Sequence, residues 1–119
     1  MKEICVQTIY VTDLTQALDF YTQALGYEVK ARYGACIAQL HTQGATLIVQ
    51  EIESGQACPD GPCTVLAFQT DNIAESMAQV VSAGGTLMTD KPQPCPVGVY
   101  VAFKDPVGVL HELLQFKNE

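Results

Sequence analysis

The feature that most constrains this chain is a hydropathy pattern that occurs twice in the same order. Asp13 opens a stretch in which Leu14, Ala17, Leu18, Tyr21 and Leu25 recur at helical spacing, and Gly26 closes it. That spacing gives one apolar face of an amphipathic helix. Asp13 can accept hydrogen bonds from the free N–H groups of the first turn, with Gln16 three residues on. Gly26 supplies the left-handed residue that commonly ends a helix. Residues 4–11, ICVQTIYV, are β-branched and aromatic and read as a strand before the helix. Strands are expected after it at 27–33, 35–41 and 45–52, with turns at Gly34 and Gly44.

The order then recurs. Residues 64–70 read as a strand and Asp71 as a helix cap. Ile73, Met77, Val80 and Val81 form the apolar face, Gly84-Gly85 the stop, and 85–89, 98–103 and 109–116 the following strands. Asp13 to Gly26 and Asp71 to Gly84 are the same thirteen steps. The chain is therefore expected to be one α+β domain over residues 1–119, built from two βαβββ modules. Module one spans about 1–53, a linker about 54–62, and module two about 63–119. A small sheet with one helix cannot cover both of its faces, so the modules must pair with each other or with a second chain.

Composition narrows the function classes. A chain of 119 residues with 48% apolar and 16% charged residues has the material for one core, which disordered chains lack. No apolar run approaches the roughly 20 residues of a membrane span. The opening MKEICVQTIY alternates rather than forming a signal peptide, so a cytoplasmic protein without membrane partners is expected. The formal net charge is −7. Lys2, Lys30, Arg32, Lys91, Lys104 and Lys117 are scattered, which argues against nucleic acid, whose phosphates need clustered bases. An acidic field favours cationic or neutral ligands instead. Five cysteines, an odd number, argue against a disulfide framework and for reduced thiols. Cys58-x4-Cys63 with Cys95 lacks the tight spacing of common zinc sites.

Asp13-Leu14, Ala17-Leu18-x-Phe20-Tyr21 and Leu25-Gly26 together resemble the opening of the vicinal oxygen chelate superfamily of glyoxalase I, bleomycin-resistance proteins and extradiol dioxygenases. Gly84-Gly85, Pro96-Val97-Gly98, Phe103-x-Asp105-Pro106-x-Gly108 and Glu112-Leu113 continue the resemblance through the second half. It implies paired βαβββ modules whose curved, cup-like mixed sheet encloses a pocket, with the helices outside, usually in a homodimer.

Enzymes of this superfamily mostly hold a divalent ion on the concave face, using His, Gln or Glu from the first strand of each module and Glu from the last. The ion acts as a Lewis acid on adjacent substrate oxygens and needs oxygen or imidazole donors. By spacing, the corresponding positions here are Val6, Ile48, Val65 and Glu112. Three are aliphatic and one is a carboxylate, so no metal site and no cofactor are expected. A one-residue shift that brought in Gln7 would turn Thr8 and Tyr10 to the other face.

Alternation about Glu112 assigns Val6, Thr8, Tyr10, Thr46, Ile48, Gln50, Val65, Ala67 and Gln69 to the cup, with Leu110 and Leu114 beside Glu112. The ligand-binding candidates are Thr8, Tyr10, Ile48, Gln50, Val65, Ala67, Gln69 and Glu112; Glu112 is the sole catalytic candidate. Aliphatic walls with sparse polar groups suit a small-molecule pocket, although Val6, Ile48 and Val65 can equally fill a sheet core. Cys5, Ile9, Val11, Leu47, Val49, Leu66, Phe68 and Leu113 should lie under the helices, and Gln7 is the polar exception there. His111 should face the helix layer and His41 a turn. Tyr10, Tyr21, Tyr33, Tyr100, Phe20 and Phe103 suit either core or a stacking site. Cys95 lies in the loop Pro92-Gln93-Pro94-Cys95-Pro96, with Lys91 its nearest base in sequence.

The leading expectation is a metal-independent protein that sequesters a drug-like or cationic small molecule as a homodimer. The alternatives are a metal-dependent lyase, isomerase or dioxygenase using Glu112 with unusual ligands, and a dimeric interaction module whose cup is self-filled.

Overall fold

The computed structural model describes residues 1–53 and 63–118; the expected linker and Cys58 lie outside them. In chain order the elements are β1 (Ile4–Val11), α1 (Leu14–Leu25), β2 (Glu28–Tyr33), β3 (Ile37–His41), β4 (Thr46–Glu51), β5 (Cys63–Gln69), α2 (Ile73–Ser82), β6 (Thr86–Leu87), β7 (Gln93–Cys95), β8 (Gly98–Lys104) and β9 (Leu110–Phe116). This is the expected α+β class with two βαβββ modules. In the second, the strand expected at 85–89 shrinks to β6, and β7 joins β8 separately.

Two compact units form: Val6–Val65, here the N-terminal unit, and Met1–Cys5 with Leu66–Glu119, the C-terminal unit. The first residues of the chain thus belong with the second module, where Glu3 carbonyl oxygen accepts the Gln69 N–H at 2.9 Å.

In the N-terminal unit β1 pairs parallel with β4, and β3 pairs antiparallel with β4 and with β2. Helix α1 starts at Asp13, whose carboxylate accepts the Gln16 N–H at 2.9 Å, and ends at Gly26 with φ 76°. A Cβ at that φ is disfavoured, so glycine is the residue that stops the helix there. The core joins Leu14 and Leu18 to Ala38, Leu40 and Val49, with Val11, Ala17, Tyr21 and Leu47 packed around them. Leu25, expected on that apolar face, is 56% exposed instead.

In the C-terminal unit β5 runs parallel to β9, and β8 lies antiparallel to β9 with β6 and β7 on its other side. Asn72, not Asp71, is the cap of α2, accepting the Glu75 N–H at 3.0 Å. The helix closes at Ala83 one residue before Gly84. Its core is Ile73 and Met77 against Val101, Phe103 and Leu113. Val80 joins them, whereas Val81, expected beside it, is 55% exposed. Gly85 sits at the close approach of α2 to β8: a Cβ there would stand 2.6 Å from Val80 Cγ1 and 3.1 Å from the Lys104 carbonyl oxygen.

The same brace fixes both helices. The Leu14 N–H donates to Glu51 Oε1 at 2.9 Å, and the Ile73 N–H to Gln115 Oε1 at 2.8 Å. Each acceptor comes from the last strand of its own module and satisfies a first-turn N–H that a helix leaves without a partner.

Candidate functional site

Strand alternation gives every sheet two faces, and the cores show which face each helix covers. In the N-terminal unit α1 lies over Val11, Ala38, Leu40, Leu47 and Val49. The opposite face carries Val6, Thr8 and Tyr10 from β1, in register with Thr46, Ile48 and Gln50 of β4. Gln39 lies across from Ile48 and Ile37 across from Gln50. Tyr33 and Ala31 of β2 pair with Ile37 and Gln39. Thr8 and Tyr10 are buried, and Ile48, Gln50, Gln39 and Tyr33 half-buried. None of these side chains is a carboxylate or a base; His41 and its partner Glu28 share the face by register but lie exposed at its end. Gln7, on the helix side by parity, is exposed and needs no buried partner.

In the C-terminal unit α2 lies over Phe68, Val99, Val101, Phe103 and Leu113. The face turned away from it carries Ala67 and Gln69 of β5, opposite Glu112 and Leu114. Across β9, Ala102 pairs with Glu112 and Tyr100 with Leu114, and Gln93 of β7 pairs with Tyr100. Val65 stands on the same side of β5 as Ala67 by alternation, and both are buried. The structure thus brings Ala67, Gln69 and Glu112 together, and Thr8, Tyr10, Ile48 and Gln50 together.

Electrostatics bind a further group to this face. The Tyr100 phenol is pushed above its ordinary value by burial first, then by the negative charge of Glu112 and by Cys95. Tyr100 is therefore a protonated phenol at neutral pH. Its place next to Glu112 was hidden in the sequence because the β8–β9 register was unknown. The signal available was parity: Tyr100 and Ala102 share a side of β8.

The residues beside Glu112 in sequence serve the other face. The His111 ring packs against Phe68 and Phe103, with ring centroids 5.5 and 5.4 Å away. Its Nε2 lies 3.3 Å from Asp105 Oδ2, while its Nδ1 is buried without a partner in the described structure. Asp105 Oδ1 accepts the N–H groups of Val109 and Val107 at 2.9 and 3.1 Å. These bonds, that from Val109 above all and with His111 adding to them, hold the Asp105 carboxyl below its ordinary value against a smaller desolvation cost. His41 ends β3 and is exposed.

The superfamily's divalent ion does not fit these residues. Val6 and Ile48 offer no lone pair from their face, nor does Val65 from its side of β5. The unpartnered His111 nitrogen lies on the helix side, not beside Glu112. Among the described residues no group of three His, Cys, Asp or Glu could hold a metal ion. The expectation of reduced thiols fails at Cys63, which is disulfide-bonded; among the described residues Cys5, Cys36 and Cys95 are free. Burial raises the Cys5 thiol, whose Sγ lies 3.6 Å from the Ala67 carbonyl oxygen. Phe20 is 58% exposed and lines no core.

No helix among the described residues is long and apolar enough to cross a membrane. No curated protein matches the chain. Among solved structures, a hypothetical protein from Bacillus halodurans is similar with TM-score 0.80 and 20% identity, over 99% of this chain and 96% of that one. A methylmalonyl-CoA epimerase from Mycobacterium tuberculosis gives 0.76 and 20%, over 96% and 87%. A Streptomyces coelicolor methylmalonyl-CoA epimerase variant, in complex with 2-nitronate-propionyl-CoA, gives 0.77 and 22%, over 98% and 95%. At such identities the likeness is one of fold. The family model described as Glyoxalase/Bleomycin resistance protein/Dioxygenase superfamily matches residues 4–113. With that match over most of its length, the chain belongs to this superfamily.

Proposed function

We propose that this chain is a metal-independent small-molecule-binding protein that sequesters a drug-like or cationic ligand. The observation that carries the reading is the side-chain chemistry at the superfamily's ligating positions. Val6, Ile48 and Val65 are aliphatic, and Glu112 stands on its face with Ala67, Ala102, Gln69 and Tyr100. Thr8, Tyr10 and Gln50 in the N-terminal unit, and separately Ala67 and Gln69 beside Glu112 in the C-terminal unit, are the sparse polar groups that suit organic ligands. A net charge of −7 favours a cationic guest. The reading includes a cytoplasmic homodimer that engages neither nucleic acid nor membrane.

The neighbours named as methylmalonyl-CoA epimerases are enzymes, but a likeness at about one-fifth identity transfers their fold and not their chemistry. The metal-dependent alternative needs donors that these positions do not supply. Thermal-shift screening tests the proposal, using aromatic, cationic and oxoacid compounds with and without a chelator. A ligand that binds the folded state raises the melting temperature by mass action. Stabilisation that persists in chelator is the expected result. Stabilisation seen only with an added divalent ion, or none from any compound, overturns it.

A further inference from the structure

We infer that Gln39 of β3 is a specificity-determining residue that donates a hydrogen bond to a carbonyl or carboxylate oxygen of the ligand, with Tyr33 as its positioning residue. The inference rests on the small-molecule reading and adds to it the chemistry of one contact.

A glutamine amide carries one acceptor oxygen and two N–H donors, and in solution it turns freely between them. Here the oxygen is committed: Tyr33 Oη donates to Gln39 Oε1 at 3.1 Å. The amide is thereby fixed with Nε2 as its outward function, and among the described residues no protein acceptor takes that nitrogen. The group stands on the face turned away from α1, opposite Ile48 on one side and Ala31 on the other. Ala31 has too short a side chain to cover it, and Ile48 offers no polar atom. Tyr33, across from Ile37, reaches Gln39 diagonally across the β2–β3 pair, as long side chains do.

The rest of this face comprises Val6, Thr8, Tyr10, Ile37, Thr46 and Gln50. By register Glu28 and His41 also stand on this face, exposed at the end of the β2–β3 pair beyond Gln39. A fixed donor in such a setting selects an oxygen acceptor, because a ligand lacking one leaves the N–H desolvated and unpaired. The cationic preference proposed above concerns the Glu112 face. The Gln39 face takes a planar group bearing C=O.

The test reads the Gln39 side-chain amide by two-dimensional NMR during titration with three probes: N-methylbenzamide, benzoate and benzylammonium. The first two present an oxygen acceptor and the third presents none. Saturable downfield shifts of the Gln39 NH2 pair with the first two, and none with benzylammonium, are expected. The relative response of benzamide and benzoate decides between carbonyl and carboxylate. Tyr33→Phe should free the amide to turn and weaken the acceptor probes by roughly five- to tenfold, the loss of about one hydrogen bond. Gln39→Leu should remove the acceptor preference while leaving the backbone spectrum folded. Equal responses to all three probes, an unmoved Gln39 NH2, or a Tyr33→Phe protein that binds as tightly as the parent overturns the inference. If N-methylbenzamide and benzoate stabilise the protein in the thermal-shift assay while the Gln39 NH2 stays silent, this contact fails and the small-molecule reading stands. If the chelator-treated protein binds nothing in the thermal-shift screen, it is that reading that fails.

Discussion

Removing the Glu51 carboxylate tests whether a last-strand side chain secures the start of α1. Glu51 Oε1 accepts the Leu14 N–H at 2.9 Å, and Leu14 is buried, so water reaches that donor poorly once the acceptor is gone. A lost hydrogen bond to a charged group costs about 1.5–3 kcal/mol, and loss of a negative charge at a helix start about 0.3–1 kcal/mol. Glu51 is half-exposed and Asp13 continues to cap the same turn through Gln16. The net cost of Glu51→Ala is therefore placed near the lower end, at about 1–2 kcal/mol. Glu51→Gln keeps an oxygen in place and gives up only the charge, so it should cost about 0.5 kcal/mol. Gln115 shows that a neutral amide performs this task, holding the Ile73 N–H at 2.8 Å. Equilibrium urea unfolding followed by far-UV circular dichroism measures both variants. With a slope of about 1–3 kcal/mol per molar urea, Glu51→Ala should lower the midpoint by about 1 M and Glu51→Gln by less than half of that. Equal midpoints for the two variants would refute the hydrogen-bond account, because charge alone would then explain the loss.

Leu113→Ala should destabilise by about 2–5 kcal/mol, since Leu113 is 2% exposed in the α2 core and its loss leaves a cavity; urea unfolding reads this directly. Tyr100 has a folded-state value raised above the ordinary 10.0. Its contribution to stability is therefore complete below that value and is lost as pH rises through the raised one. Tyr100→Phe should remove a step lying above the ordinary value from an ultraviolet phenolate titration and flatten the alkaline fall in melting temperature. Asp105 has the opposite sign: its lowered value makes its contribution present above the ordinary 3.8 and lost as pH falls through the lowered one. Asp105→Asn should melt below the parent at neutral pH, the two curves converging in strong acid.

The N-terminal module was legible in the sequence nearly residue by residue. Asp13 and Gly26 are strong local signals, and β1 falls on the expected residues 4–11. The second module was read one residue early at its cap, because Asp71 and Asn72 are adjacent and chemically equivalent candidates. Only the structure shows that Asn72 receives the Glu75 N–H. Val81 and Leu25 satisfy helical spacing yet fall outside the packed stripe, since each sheet covers only part of its helix. Strand parity correctly separated Leu47, Val49, Phe68 and Leu113 from Ile48 and Glu112, because period two depends on the backbone alone. Cross-strand pairs were not legible: the Tyr33–Gln39 bond and the Tyr100–Glu112 proximity depend on register, which no single strand encodes. Nor did counting five cysteines identify the disulfide at Cys63, as an odd total constrains the set and not its members.

The proposed function turns on the absence of a donor set for a divalent ion at Val6, Ile48 and Val65. Equilibrium dialysis of chelator-treated protein against Ni, Zn, Mn and Fe(II), with the retained metal quantified by mass spectrometry, tests it most directly. The account predicts no stoichiometric retention and no difference between the parent and Glu112→Gln. One equivalent of metal held by the parent and lost in Glu112→Gln would contradict it.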